Sequence, residues 1–328
     1  MATIRDVAKT AGVSIATVSA CINASAPVSP ALRRRVTEAV ASTGYRPDAL
    51  ARSLKTGVTR TLGLVVENLG NPYAAAMVQA AVAAAADKGY AAILAHGLDF
   101  AGLEARRVDG ILALAAAPGN LPGLRCPVVL AGAVAEACDS IAGDHAQMAD
   151  RAVEHLAGLG HDRIALVVGP AYVTQGERIL EGYRRALVQH GIRFQPRLVR
   201  IAAPGKAKAE RQDQARDIAR ALLATAEWPS ALIVCGEALA LGMVAALAAA
   251  GIACPAGMSV MALGDGPGAA NAVPPLTTIA EPAGEIGAGA VRLLLERIGG
   301  GIGPAARRIL VPGVLTARAS TAGAPPPG

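Results

Sequence analysis

The basic side chains of this sequence are unevenly placed, and their placement points to phosphate chemistry. Of 31 Lys and Arg, 9 lie in the first 60 residues against 3 Asp and Glu, a local net charge of +6. Residues 61–328 hold the other 22 basic and 22 acidic groups and are neutral. A basic module fused to a neutral body fits a nucleic-acid reader steered by something else. Arg33, Arg34 and Arg35 are consecutive. On a helix they point to three different sides, so at most two of them face one phosphate backbone.

Other chemistries lack their residue patterns. The five His have no metal-ligand spacing, and no G-x-S-x-G nucleophile elbow is present. Gly264, Gly266 and Gly268 in LGDGPG depart from the G-x-G-x-x-G spacing of a phosphate loop. Cys21, Cys126, Cys138, Cys235 and Cys254 are odd in number and scattered, which fits buried free thiols in a reducing cytoplasm. No catalytic residue, metal or cofactor is therefore expected. The hydrophobic content is 53%, supplied largely by Ala and Val and broken by Arg, Asp, Gly or Pro, so no stretch reads as a membrane span. The start, MATIRDVAKTAG, lacks the apolar core of a secretory signal, which argues for a cytoplasmic protein and against an exported solute-binding protein.

The elements that must carry the basic groups are legible. Thr3 and Asp6 form a capping-box-like pair opening a short helix that ends near Ala11. Gly12 supplies a tight turn, and Ser14 caps a second helix from Ile15 to about Ile22. Ser29 followed by Pro30 opens a third helix that ends before Gly44. Ile4, Val7, Ala8, Val13, Val18, Ile22, Val28, Val36 and Val40 supply a minimal core. From Thr61 the texture changes to short apolar strands alternating with helical segments. These strands are Leu62–Val66, Ala91–Leu94, Gly110–Leu114, Val128–Leu130, Ile164–Val168, Leu232–Cys235 and Ser259–Ala262. Such alternation predicts parallel βαβ units, too many for one small sheet, and hence two doubly wound subdomains with a cleft between them. The Pro/Gly/Ala-rich tail over 319–328 is expected to be disordered.

The chain resembles the LacI/GalR family of transcriptional regulators. The resemblance rests on T-I-R-D-V-A-x-x-A-G-V-S-x-x-T-V-S, G-Y-R-P-D-A-L-A-R-S-L, L-G-L-V-V…N-P-Y, R-V-D-G-I-L, E-H-L-x-x-L-G-H-D-R-I-A-L-V-V-G-P and P-P-L-T-T-I, in one order over almost the whole chain. It implies an N-terminal all-α helix-turn-helix plus an α/β periplasmic-binding-protein-like core of two doubly wound subdomains. The implied divisions are a DNA-binding module over 1–46, a hinge helix and linker over 47–60 and a core over 61–318. Subdomain crossovers are expected near 159, 280 and 312. The implied partners are a roughly palindromic double-stranded operator, a small-molecule effector and a second copy of the chain.

In that fold the second helix lies in the major groove. By motif position Ser14, Thr17, Ser19, Asn23, Ser29 and Tyr45 are the implied backbone contacts, which fix register without reading sequence. Bases would be read by Ile15, Ala16 and Ala20. Family members usually carry Arg where Ala20 stands, and Ala20 cannot make an arginine's bidentate bonds to guanine. The segment Asp48–Lys55 is too short to be helical alone. Paired with its mate on DNA it would present Leu54 as an apolar wedge in the minor groove.

At the effector end, sugar-binding relatives place Asp, Asn-Asp, Asp and Arg at strand ends facing the cleft. Here those positions hold Ala131, Gly236 and Glu237, Gly264 and Asp265, and Ile179, with Arg178 four residues before Gly182 rather than three. The surviving polar candidates are Asn71, Tyr73, Asp144, Arg178, Glu237 and Asp265. Each could equally be a helix cap, a loop bond or an ion pair. A cleft so poor in hydrogen-bonding groups predicts an effector that is not an ordinary sugar. A regulator that has become constitutive is the alternative. Relatives also carry a full helix where this chain has HGLDFAGLEARR, between Leu94 and Val108. The leucine-rich helix that makes some relatives tetramers is absent after Arg318, so a dimer is expected.

Overall fold

The computed structural model of the chain describes residues 2–23, 26–45, 57–97, 99–115, 123–169, 175–203, 208–225, 227–300, 303 and 305–325. The chain divides into two units, Met1–Thr59 and Arg60–Gly328.

The first unit is built on local signals. Helix α1 (Ile4–Ala11) begins at Thr3, whose N–H and hydroxyl both donate to Asp6 Oδ2, at 2.8 and 2.9 Å. It ends at Gly12, whose φ of 60° is the left-handed conformation that closes a helix and that only glycine adopts freely. Helices α2 (Ile15–Asn23) and α3 (Pro30–Thr43) follow. Val7, Ala8, Val18 and Val36 are buried, and Ile4, Val13, Ile22, Val28 and Val40 pack around them. The expected core is thus present, and Ala11, Cys21 and Ala39 complete it. The expected hinge, Asp48–Lys55, lies outside the described residues, and so does Leu54.

The second unit holds two six-stranded sheets. In chain order its elements are β1 (Thr61–Val66), α4 (Pro72–Asp87), β2 (Ala91–His96), α5 (Phe100–Ala105), β3 (Gly110–Leu114), β4 (Val128–Ala131) and β5 (Asp139–Gly143). Then come α6 (His145–Gly158), β6 (Ile164–Val168), α7 (Gly176–Gln189), β7 (Val199–Ile201), α8 (Lys208–Leu223), β8 (Ala231–Cys235) and α9 (Glu237–Ala249). The last are β9 (Ser259–Leu263), β10 (Thr277–Ala280), α10 (Ala283–Ile298), β11 (Arg308–Val311) and β12 (Val314–Thr316). The first sheet has the order β11-β5-β4-β3-β1-β2, all parallel. The second has the order β12-β10-β9-β8-β6-β7, with only β12 antiparallel. Strands β3, β6, β8 and β9 are buried along their whole length, as parallel strands covered by helices on both faces must be.

Three passages join the sheets. Strand β5 belongs to the first sheet, while α6 lays Met148, Ala149, Ala152, Val153 and Leu156 against the second. The first passage is therefore at 143–145, before α6, and not near 159: the apolar face of that helix is already committed to the second core. The others lie between β10 and α10, and between β11 and β12. The tail also departs from expectation. Ser320 is fully buried, accepting from Thr277 N at 2.7 Å and donating to the Val260 carbonyl. Residues 319–325 are thus docked on the second subdomain. Their composition suggested disorder because the partners that hold them lie between 43 and 166 residues back in the chain.

Between Leu94 and Val108 the chain forms the six-residue α5, capped by Asp99, which accepts from Gly102 N at 2.8 Å. Phe100 and Leu103 anchor it to the first sheet.

Candidate functional site

The surface that would meet DNA is the outward face of α2. Ser14 precedes the helix, and its Oγ accepts from Thr17 N at 3.1 Å while sharing a 2.8 Å hydrogen bond with Thr17 Oγ1. Burial of Val18 and Cys21 fixes the rotation of α2. Ile15 is then 45% exposed, Ala16 is exposed, and Thr17, Ser19 and Ala20 are half-buried. Asn23 ends the same helix. Ser29 accepts from Leu32 N at 3.4 Å as the cap of α3, and Tyr45 packs on the small core. Ser14, Ser29 and Tyr45 therefore each carry a structural role, whatever they also touch.

Arg35 has a part that its position in a basic run did not disclose. Its Nη2 donates to the carbonyl of Ala11, the last residue of α1, at 2.6 Å. The carbonyls at a helix C-terminus lack intrahelical partners and carry partial negative charge, so a guanidinium there is well placed. A Cβ on Gly12 would lie 3.1 Å from the same Nη2. All three arginines are exposed, and Arg35 is the one that braces the turn that aims α2.

The effector candidates resolve into two groups. In the first, Asn71 caps α4, its side chain accepting from Tyr73 N at 3.0 Å, and Asp144 caps α6, accepting from Gln147 N at 3.1 Å. Tyr73 donates its phenol proton to Glu281 Oε2 at 2.6 Å. Glu281 also accepts from Gly143 N at 3.2 Å and bonds His145 Nε2 at 3.0 Å. Burial opposes its charge, but the bonds from His145, Tyr73 and Gly143 outweigh that and hold its carboxyl below the ordinary value. Neither Glu281 nor His145 belongs to a motif position singled out from the sequence. Only their neighbours Ile279 and Asp144 carried a signal.

In the second group, Glu237 opens α9 and accepts from Gly268 N at 3.0 Å through Oε1. Its Oε2 is buried without a hydrogen-bond partner among the described residues. Asp265 is paired with Arg318 through two bonds, of 3.0 and 2.9 Å. Arg178 is exposed on the first turn of α7, and no described contact joins it to either group. Among the described residues no cluster of His, Cys, Asp or Glu could hold a metal ion. Of the cysteines, all free, Cys21 and Cys235 are buried, and burial pushes the Cys235 thiol up to about 12.

The chain matches the family of bacterial regulatory proteins called the lacI family over residues 3–48, and a periplasmic binding protein-like domain over residues 153–321. It is 32% identical over 314 residues to the ribose operon repressor of Escherichia coli (strain K12), covering 91% of this chain and 93% of that protein. Among solved structures it is similar to the lac repressor dimer bound to operator and the anti-inducer ONPF, at 26% identity and a TM-score of 0.77, covering 98% of this chain and 99% of the other. It is also similar to a complex of the transcriptional regulator CelR with cellobiose, at 27% identity and a TM-score of 0.68, covering 98% of this chain and 100% of that one. The expectation that the effector is no ordinary sugar is not borne out, since a similar protein holds a disaccharide. That expectation did not weigh His145 and Glu281, which are buried and bonded to each other.

Proposed function

The chain belongs to the lacI family of bacterial regulatory proteins, and from that premise we propose that it is a cytoplasmic, homodimeric repressor of transcription. It binds a roughly palindromic operator through α2, and a small molecule in the cleft between the two sheets sets its affinity. The observation that carries the reading is the α1–turn–α2 unit, with its capped helix ends and its outward α2 face beside an exposed Arg33–Arg34 pair. Phosphate contacts from this basic unit supply adhesion that weakens steeply with salt.

Choice of site needs another source. Ile15, Ala16 and Ala20 offer thymine methyls an apolar surface and offer guanine nothing. Ser14, Thr17, Ser19, Asn23, Ser29 and Tyr45 serve as register contacts, and Leu54 serves as a minor-groove wedge. Selection of duplexes from a random pool by the full chain tests this. A half-site without the guanine that relatives read through Arg, enriched in A·T steps at its centre, is the expected product. Failure to enrich any sequence would refute the reading.

For the effector, Asn71, Tyr73, Asp144, Arg178, Glu237 and Asp265 are the proposed contacts. A second reading, a regulator without effector response, draws on Asn71, Asp144 and Asp265 being occupied in caps and an ion pair. Operator affinity measured across a panel of pentoses, hexoses and disaccharides separates the two. A change with any member supports control, and no change across a broad metabolite set supports the second reading.

A further inference from the structure

The three passages between the sheets are fastened to one another, and the fastening centres on the first two turns of α6. Asp144 N donates to the Val311 carbonyl at 2.8 Å. Gly313 N donates to Gln147 Oε1 at 3.2 Å, and Arg151 Nη1 donates to the Gly313 carbonyl at 2.9 Å. These bonds tie the first passage to the third. The second passage is tied to the first by Glu281, whose side chain is 10% exposed and whose partner His145 is 5% exposed. One carboxylate thus takes bonds from α4 through Tyr73, from the end of β5 through Gly143, and from the start of α6 through His145.

Gly143 has no side chain because the carboxylate occupies its place. A Cβ there would lie 2.5 Å from Glu281 Cγ and 2.6 Å from Oε2. Gly313 is similar: a Cβ would lie 2.4 Å from Met148 Cγ and 2.8 Å from Ile279 Cγ2. Any rotation of one sheet against the other must be absorbed by φ and ψ changes in these passages, and hinges of this kind use a few element-terminal residues. Here the terminal residues of β5, β10 and β11 share one set of bonds, so they yield together or not at all.

We infer that Glu281 is a positioning residue: it pins the passages between the two sheets, and the pinned arrangement sets the affinity of the chain for its operator. The inference rests on the DNA-binding reading above for its second half only. Replacing the carboxylate removes one acceptor from three donors on three elements, which loosens the hinge without touching the DNA-binding unit. Glu281→Gln keeps the shape and an acceptor, so it restores most of what Glu281→Ala loses.

The test uses the full chain as wild type, E281A and E281Q, read by hydrogen exchange and by binding to the site selected with the wild type and to a scrambled duplex. In E281A, amides over 143–148 and 311–313 should exchange about tenfold faster while those of β8 and β9 keep their protection. Affinity for the selected site should change by about fivefold or more, with the scrambled duplex bound as before and E281Q falling between the two. A uniform rise in exchange would mean that Glu281 serves global stability alone, and unchanged operator affinity would uncouple the hinge from DNA; either overturns the inference. Should E281A fail to fold, E281Q and H145A carry the same comparison. If the wild type selects no site, the DNA-binding reading falls and takes the operator half with it, while the exchange arm still decides whether the pin exists.

Discussion

Asp265 and Arg318 face each other through two nearly parallel hydrogen bonds, of 2.9 and 3.0 Å, and Arg318 Nη1 also reaches the Leu276 carbonyl and Thr278 Oγ1. A bidentate guanidinium–carboxylate pair fixes direction as well as charge. Arg318 thereby ties Asp265, in the β9–β10 loop, to the start of β10, with the Asp265 oxygens turned to Arg318. Asp265→Asn should cost about 1.5–3 kcal/mol, since the pair is largely shielded and its bonds involve charged groups. Thermal unfolding should shift downward by about 3–10 °C. A variant with unchanged stability and weakened effector binding would instead restore Asp265 to the cleft.

The α2 face makes a prediction of opposite sign. Ala20 is half-buried beside the exposed Ala16, so an arginine there has room to reach outward. Ala20→Arg should add a guanine preference worth about 1–3 kcal/mol at one position of each half-site, read by repeating the pool selection with the variant. An unchanged consensus would mean that this position does not face bases.

Arg35 should behave unlike its neighbours. Arg33→Gln or Arg34→Gln, where the side chain faces phosphate, lowers the slope of log K against log salt by about 0.9 per lost contact. Arg35→Gln should leave that slope alone and reduce affinity for the selected site by about tenfold, because it releases the Ala11 carbonyl and the turn before α2. Arg35→Lys, which retains a cationic donor, should recover most of the loss. A slope change in Arg35→Gln would make it a phosphate contact.

The docked tail carries a pH dependence. His161 Nε2 faces the Ala322 carbonyl at 3.0 Å, an acceptor only, so Nε2 bears the proton and Nδ1 accepts from Ser230 Oγ at 2.9 Å. His155 bonds Thr321 Oγ1 at 3.0 Å. Burial lowers both imidazoles below the ordinary 6.5, so each stays neutral when docked. The undocked form takes up protons first as pH falls below about 6.5, and docking weakens from there down to the docked value. Once exchange is normalised to the intrinsic rate at each pH, the opening constant at Ser320 and Ala322 should rise by up to about tenfold between pH 7 and 5.5, and His161→Gln should flatten most of that rise. A flat wild-type profile would count against the assignment.

Asp139 extends the same logic to lower pH. It is buried, and burial alone would raise its carboxyl, but the Arg297 bonds of 2.8 and 2.6 Å and the Arg307 N–H at 2.7 Å hold it below the ordinary value. Its contribution is present above the unfolded value near 3.8 and is lost as pH falls through the lower folded one. The first subdomain should therefore retain its near-ultraviolet signal through pH 4.5, and Asp139→Asn should remove the steep loss below pH 4. A wild type that loses this signal well above pH 4.5 would show another group to be limiting.

The sequence by itself determined the elements whose signals are local. Thr3 with Asp6, Gly12, and Ser29 with Pro30 act within a few residues of where they stand, so α1, the turn and α3 are legible without the rest of the molecule. The apolar runs of β1, β3 and β6 are equally plain, because a strand covered on both faces is hydrophobic throughout. Strands β7, β11 and β12 escaped notice for the converse reason: they are short edge strands whose side chains are mostly exposed or half-buried, held by a neighbour's backbone and not by their own composition. Strand β5, DSIAG, is buried yet reads as a turn, and its identity comes from β4 and β11 on either side.

The candidate sites divide along the same line. Arg33–Arg35 and the apolar reading face were visible as residue types, but which arginine braces α1 was not. The polar effector candidates were visible as survivors of a motif, and tertiary structure gave most of them other work. Tyr73 meets Glu281 across 208 residues, and Arg318 meets Asp265 across 53. Such partnerships follow from which sheet each helix covers and where the chain passes between sheets. No window of sequence contains that information, because burial and charge pairing are properties of the assembled layers.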